Sequence, residues 1–374
     1  MNQQSIDRAQ RNIRACRLHH LRVPWLVALL AIAGCERESN ITQLPEAPPI
    51  PATQLIAGAS ANDDAVDLSP RLLRRFAPIS KPASGTETPV VALGRMLFYE
   101  PLLSRTGKVS CNTCHPLARY GTTNTRVSTG VDGKLGRRNA PTVYNVGGLA
   151  RQFWDGRAAT LEEQALRPIN NPDEMGMAPG QAERVLRAIA GYRTTFAAAF
   201  RGSAQPITNA NMATALAAFE RGLIIPARWD QYLNGRSDAL TLEEKAGAKL
   251  FANLGCMVCH TGAYVGGTMF EKVGVFTPWP NQHDHGRLDV THNPGDDMVF
   301  KVPSLRNVAR TAPYFHDGSI ASLDTAVHIM AHYQLGLELT DGEAHSIAAW
   351  LGSLTGDLPT GYIAAPQLPE APRP

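Results

Sequence analysis

Two short runs place thiols and imidazoles at one repeated spacing: Cys111-Asn112-Thr113-Cys114-His115 and Cys256-Met257-Val258-Cys259-His260. Two thiols separated by two residues can add across the two vinyl groups of one porphyrin, and the adjoining histidine then lies under the iron as its proximal ligand. A four-cysteine zinc site or a redox Cys-x-x-Cys pair explains the cysteines alone. Neither explains a histidine directly after each pair. The spacing therefore predicts two covalent c-type haems, held by Cys111, Cys114 and His115 and by Cys256, Cys259 and His260.

Elements that position these motifs follow from the surrounding sequence. Thr-x-x-Glu capping boxes at Thr160/Glu163, Thr241/Glu244 and Thr340/Glu343 mark three helix starts, and strand-like alternation is scarce, so the chain is expected to be mostly α with few strands. The Gly/Pro/Asn-rich stretches Ser128 to Asn145 and Pro278 to Asp297 are too long for simple connectors and are expected to wrap something. Each half carries a Leu/Phe-rich helix, a cysteine pair and a long loop, a weak internal duplication. The expected organisation is a signal over 1–34, a proline-rich tether over 35–88, haem domains over 89–235 and 236–356, and a proline-rich tail over 357–374.

The first 34 residues read as an export signal: arginines up to Arg22, the apolar run Leu26 to Gly34, then Cys35. Ile32-Ala33-Gly34-Cys35 resembles a bacterial lipobox, making Cys35 the lipid-bearing residue of a membrane-anchored, periplasm-facing protein. Glu36 gives no reason for inner-membrane retention, which favours the outer membrane. The whole chain has formal charge +3, but without the five arginines and one acid ahead of Cys35 the balance is 31 basic against 32 acidic residues. That excludes the clustered positive field a nucleic-acid partner requires.

Further runs carry a family likeness: Leu93-Gly94-Arg95-Met96-Leu97-Phe98, Arg138-Asn139-Ala140-Pro141-Thr142, Phe153-Trp154-Asp155-Gly156-Arg157, Glu174-Met175, Val302-Pro303-Ser304-Leu305-Arg306-Asn307 and Pro313-Tyr314-Phe315-His316-Asp317-Gly318. From about Pro89 to Gly356 the chain resembles the bacterial di-haem cytochrome c peroxidases, a family that includes MauG-like enzymes. The resemblance implies two packed cytochrome c-like domains, the first meeting hydrogen peroxide and the second receiving electrons from a small donor protein, a cytochrome c or a cupredoxin. It leaves a homodimer open. It also implies that Trp154 lies between the haems, that Glu174 does acid/base work on peroxide with Gln164 beside it, and that Met330 is the second ligand of the C-terminal iron. Asn139, Thr311 and Pro313 match calcium-binding positions, and His316 matches a hydrogen-bonding residue of the haem surroundings.

Helix geometry separates the candidates around Met330. At about 100° per residue His328 and His332 each lie ~200° round from it, whereas Tyr333 lies only about 60° away and is its rival. His283, His285 and His292, in a polar loop, are expected to be solvated. One departure stands out: Val131 occupies the position of the histidine that caps the peroxidatic iron in many family members. No histidine or methionine lies between Pro116 and Arg151, and Lys134 is expected to be solvated. The expectation is a peroxidase whose first haem is open at rest. The alternatives are a MauG-like oxidase of a protein substrate, against which Met330 weighs because MauG has tyrosine there, and a non-enzymatic electron-transfer cytochrome, against which Glu174 weighs.

Overall fold

The computed structural model describes residues 50–51, 67–81 and 87–370. The signal, Cys35 and most of the tether lie outside the described residues. From Pro48 onward the chain forms one compact unit. Its longer helices are α1 (Pro89–Tyr99), α2 (Leu161–Asn170), α3 (Gln181–Ala188), α4 (Ala190–Ala199), α5 (Asn209–Arg221), α6 (Arg228–Leu233), α7 (Leu242–Asn253), α8 (Leu323–Met330) and α9 (Asp341–Gly352). Strand is confined, among the described residues, to two pairs. β1 (Ile50–Pro51) runs parallel to β4 (Leu337–Glu338), and β2 (Phe270–Lys272) runs antiparallel to β3 (Val299–Lys301). No described helix is long and apolar enough to cross a membrane.

The three expected caps start their helices. Thr241 and Thr340 make full reciprocal boxes with Glu244 and Glu343. At α2, Thr160 accepts from the Glu163 N–H, but the Glu163 carboxylate reaches back one residue further, to the N–H of Ala159 at 2.8 Å. That carboxylate also pairs with Arg167 one turn on.

Two hydrophobic cores organise the unit, and they are built alike. In the first, α1 crosses α5 at Gly94, where a Cβ would lie 1.9 Å from the Ala215 carbonyl oxygen. In the second, α7 crosses α9 at Gly247, where a Cβ would lie 1.8 Å from the Ser346 carbonyl oxygen. Only glycine lets backbones approach this closely. Past each crossing the same aromatic contact recurs: Phe98 meets Phe219 with ring centroids 5.5 Å apart, and Phe251 meets Trp350 at 4.6 Å. Gly94, Leu97 and Phe98 thus correspond to Gly247, Leu250 and Phe251, and Ala215 and Phe219 correspond to Ser346 and Trp350. The duplication hinted at in the sequence is a shared pair of crossed helices.

Two flanking segments differ from expectation. Residues 67–81, expected to be part of an extended tether, pack on the second core. Leu68, Leu72 and Phe76 are buried, and Phe76 sets its ring edge-on to Trp229 at 5.4 Å. Apolar residues four apart, one on a one-turn helix (Pro70–Leu73) and one on either side of it, outweigh the surrounding proline-rich composition. The tail returns to the first core. Ile363 is buried, Tyr362 stacks on Phe219 at 5.2 Å, and the Tyr99 hydroxyl donates to the Ile363 carbonyl at 2.6 Å.

The crossing makes a direct prediction. Gly247→Ala forces α7 off α9 and should lower stability by about 1–3 kcal/mol or more, with preferential loss of haem from the second motif. Thermal melts and the haem content per chain check this; a variant with unchanged melting and haem content would show that the crossing tolerates a methyl group.

Candidate haem and peroxide site

The first motif forms a single helical turn, Cys111–Cys114, entered by a reciprocal cap between Ser110 and Thr113. The Asn112 side chain accepts from the Leu117 N–H at 3.0 Å and closes the turn behind it. His115 follows as the last residue of the turn. Its Nδ1 lies 3.1 Å from the Gly121 carbonyl oxygen, which can only accept, so Nδ1 carries the proton and Nε2 is the lone-pair nitrogen. His260 repeats the arrangement, with Nδ1 3.3 Å from the Val265 carbonyl. Val265 is fully buried with φ 50°, a left-handed conformation that costs a β-branched residue about 1–3 kcal/mol. It turns that carbonyl towards the imidazole. Burial lowers both histidines, His260 to about 4, so both rings are neutral, as iron ligation requires. Cys111, Cys114, Cys256 and Cys259 are all free of disulfides. Two neutral imidazoles with Nδ1 anchored to backbone, each beside a pair of free thiols, fit two haem groups.

A partly open cavity lies against the first motif. Cys111, Cys114, His115, Gln164, Glu174 and Glu220 line it. The sequence-derived trio of His115, Gln164 and Glu174 is therefore brought together. Glu174 is half-buried, and its Oε1 accepts from the Asn171 side chain at 2.6 Å. Burial raises its pKa above the ordinary glutamate range. Glu220 was not singled out from the sequence. It is 6% exposed and pushed up to about 8 by burial, so it is a neutral acid at pH 7. Its signal is an acid on the inner face of the apolar helix α5: Ala217-Ala218-Phe219-Glu220 corresponds to Ala348-Ala349-Trp350-Leu351 in the second core, where the position is a buried leucine.

Val131 is buried, and its N–H donates to the Glu174 carbonyl at 2.8 Å. Its loop is docked along the Glu174 loop: Lys134 pairs with Asp173 at 3.0 Å, and a Cβ on Gly130 would lie 2.1 Å from the Asp173 carbonyl. Lys134 is thus a paired surface residue.

The Trp154 indole donates to the Asn139 carbonyl at 2.9 Å and meets His316 edge-on at 6.4 Å. His316 is buried, stacks on Phe300 at 4.2 Å and has no hydrogen-bond partner for Nε2 among the described residues. The three calcium candidates flank one turn. Asn139 donates to the Thr125 and Arg126 carbonyls, while Asn124 donates to the Ala312 carbonyl, between Thr311 and Pro313. His283, His285 and His292 are exposed, and no group of three or more His, Cys, Asp or Glu suited to a metal ion occurs among the described residues.

The chain matches the family model described as di-haem cytochrome c peroxidase over residues 88–238. It is 45% identical to cytochrome c551 peroxidase of Nitrosomonas europaea over 71% of this chain and 80% of that protein. The chain belongs to the di-haem cytochrome c peroxidase family. Cytochrome c551 peroxidase of Pseudomonas aeruginosa is 41% identical over 75% of this chain and 84% of its own length. A crystal structure of a MauG-like protein associated with microbial copper homeostasis superposes with a TM-score of 0.67 at 31% identity, covering 78% of this chain and 96% of that one. The fold is that of the di-haem family, and the family carries haem c.

Within that frame Met330 ends α8 and is followed by a π-helical turn, Ala331–Leu335, where the spacing around Met330 assumes a regular helix through Tyr333. The wider turn shifts the neighbours of Met330. Tyr333 packs on Trp279 with ring centroids 5.3 Å apart, while His328 and His332 face outward onto Asp341 and Glu338. Met330→Leu should abolish the near-infrared sulfur-to-iron charge-transfer band and lower the potential of the second haem, because a thioether favours the ferrous state. A larger spectral change from Tyr333→Phe would assign the ligand to Tyr333 instead.

Proposed function

We propose that this chain is a peroxidase that reduces hydrogen peroxide to two waters, taking two electrons from a small redox protein, a cytochrome c or a cupredoxin, and two protons from solvent. The placing of Glu174 and Gln164 in one cavity with His115 carries the reading. The relatives at 45% and 41% identity bear the peroxidase name, and the MauG-like structure stands at 31%. A carboxyl raised by burial beside a cavity suits acid/base work near neutral pH. A carrier of electrons alone has no use for it.

Cys111, Cys114, Cys256 and Cys259 would hold the two haems as thioethers, with His115 and His260 as proximal ligands and Met330 on the second iron. The bound haem iron supplies the position where peroxide binds and the electrons that cleave its O–O bond. Glu174, as the carboxylate, accepts the proton of one peroxide oxygen and returns it to the other, which leaves as water. Gln164 orients the substrate by hydrogen bonding, and Trp154 bridges the haems for electron transfer. Val131 cannot ligate iron, and its loop is held against the Glu174 loop, so no side chain has to leave before peroxide enters.

Cys35 would carry lipid, holding the enzyme on the periplasmic face of a membrane, the outer one by preference. The carbonyls of Asn139, Thr311 and Pro313 would take a calcium ion, since oxygen-only ligation suits it. The family likeness is also consistent with a homodimer.

Steady-state assays with peroxide and reduced cytochrome c test the central reading. Oxidised enzyme should turn over without a lag and show a high-spin beside a low-spin signal in electron paramagnetic resonance. Glu174→Gln should lower kcat/KM for peroxide by about 10²-fold or more. The sign of the pH effect follows from the raised pKa: the carboxylate is lost as pH falls through it, so the acid limb should lie above the ordinary glutamate value and vanish in Glu174→Gln. Two low-spin haems with a lag removed by pre-reduction would defeat the open-site reading. For the anchor, Cys35→Ala should move the protein from the membrane to the soluble fraction, and unchanged membrane association would count against a lipid there.

A further inference from the structure

Three basic side chains are buried among the described residues: Lys245, Lys301 and Arg306. Lys245 pairs with Asp67 at 2.6 Å, and Arg306 grips Asp230 with two bonds of 2.7 and 2.9 Å. Lys301, 9% exposed, has no acid and no carbonyl within reach of Nζ among the described residues, and burial alone brings it down to about 8. An ammonium in surroundings this poor in water is destabilised unless an anion joins it.

Lys301 stands at a junction. It ends β3, opposite Phe270, and its backbone N–H donates to the Trp154 carbonyl at 2.7 Å. Two residues on, the Pro303 carbonyl closes the loop that carries His260: a Cβ on Gly266 would lie 2.2 Å from that oxygen and 3.1 Å from His260 Nδ1. On the other side Phe300 stacks on His316. The strand therefore joins the bridging tryptophan to the wall of the second haem pocket.

We propose that the Lys301 ammonium seats a propionate carboxylate of one of the two haems, fixing that haem relative to Trp154, which the same residue holds through its backbone. This rests on the haem-binding reading above. Peroxide is neutral and cannot serve as the counter-ion, whereas each haem brings two carboxylates into the protein. Lys301 is then a positioning residue: its side chain sets where the haem edge lies, its N–H sets where Trp154 lies, and the gap between them is one residue's geometry. Removing the cation leaves a buried carboxylate unpaired beside iron, which stabilises the ferric state.

The test is a spectroelectrochemical titration of the haem-loaded protein with Lys301→Met and Lys301→Arg, alongside haem content and resonance Raman of the propionate-bending modes. The expected result is two haems per chain, a downward shift in the midpoint potential of one haem only, a change in that haem's propionate band, and recovery of both in Lys301→Arg. Which haem responds identifies the carboxylate. Two haems with neither potential moved, or both moved alike without recovery in Lys301→Arg, would overturn the proposal. Where Lys301→Met does not load, Lys301→Gln is read in the same way. Loss of one haem from both neutral variants but not from Lys301→Arg supports the seat, and loss from all three overturns it. Wild-type protein without haem would instead overturn the haem-binding reading itself.

Discussion

Two imidazoles must be kept neutral, with one nitrogen tied down and the other bare, and much of this structure serves that demand. A histidine ring left to itself turns, protonates or finds water. His115 and His260 are prevented from doing so by a carbonyl at Nδ1 and by apolar surroundings, and each carbonyl has to be delivered from a loop whose own position is fixed. For His260 that loop is held from behind. Arg306 donates to the Ala263 carbonyl as well as to Asp230, whose oxygens also accept from the N–H groups of Ile79 and Ala227. Removing one member of such a buried pair costs about 3–5 kcal/mol. The ion pair therefore ties the haem loop, α6 and the segment after Phe76 into one piece.

One frame is used twice and filled differently. The glycine crossings and the aromatic contacts beyond them recur in both cores, so what distinguishes the two halves lies in the fillings. The first has Glu174, Gln164 and Glu220 around its cavity, three polar side chains that include a half-buried acid and a buried one, both raised by burial. The second has Leu351 where Glu220 stands, and α8 ending at Met330. The acids that the proposed reading uses for proton chemistry all lie in one half of a duplicated scaffold.

Local chemistry was the legible part of this sequence. The two Cys-x-x-Cys-His runs and the helix caps are each written within a few consecutive residues, and the exposed histidines follow from a polar loop. The family likeness adds Glu174 and Gln164, which do meet His115 in one cavity. What escaped reading depends on contacts between distant residues. Composition marks 67–81 and the tail as proline-rich and loose, yet Phe76 and Tyr362 find aromatic partners in Trp229 and Phe219 that only the assembled cores provide. Glu220 and Lys301 look like ordinary surface charges in one dimension. Their meaning comes from burial, which no local pattern announces. The π turn after Met330 has no local marker either, since Ala331 to Leu335 reads as continued helix.

The returning tail orders events in time. Tyr362 and Ile363 cover the first core, and Arg95 donates to the Tyr362 carbonyl at 3.3 Å, so a helix that precedes the second core in sequence is completed by residues that follow it. A chain emerging from a ribosome or an export channel presents α1 to α5 long before it presents this strap. Until then Phe219 and Tyr99 lack their final cover, and the first core is a clamp without its clasp. A cofactor that enters beside Cys111 during that interval meets a looser wall than the finished protein offers. Closure of the first core therefore waits on residues that follow the whole second core in sequence.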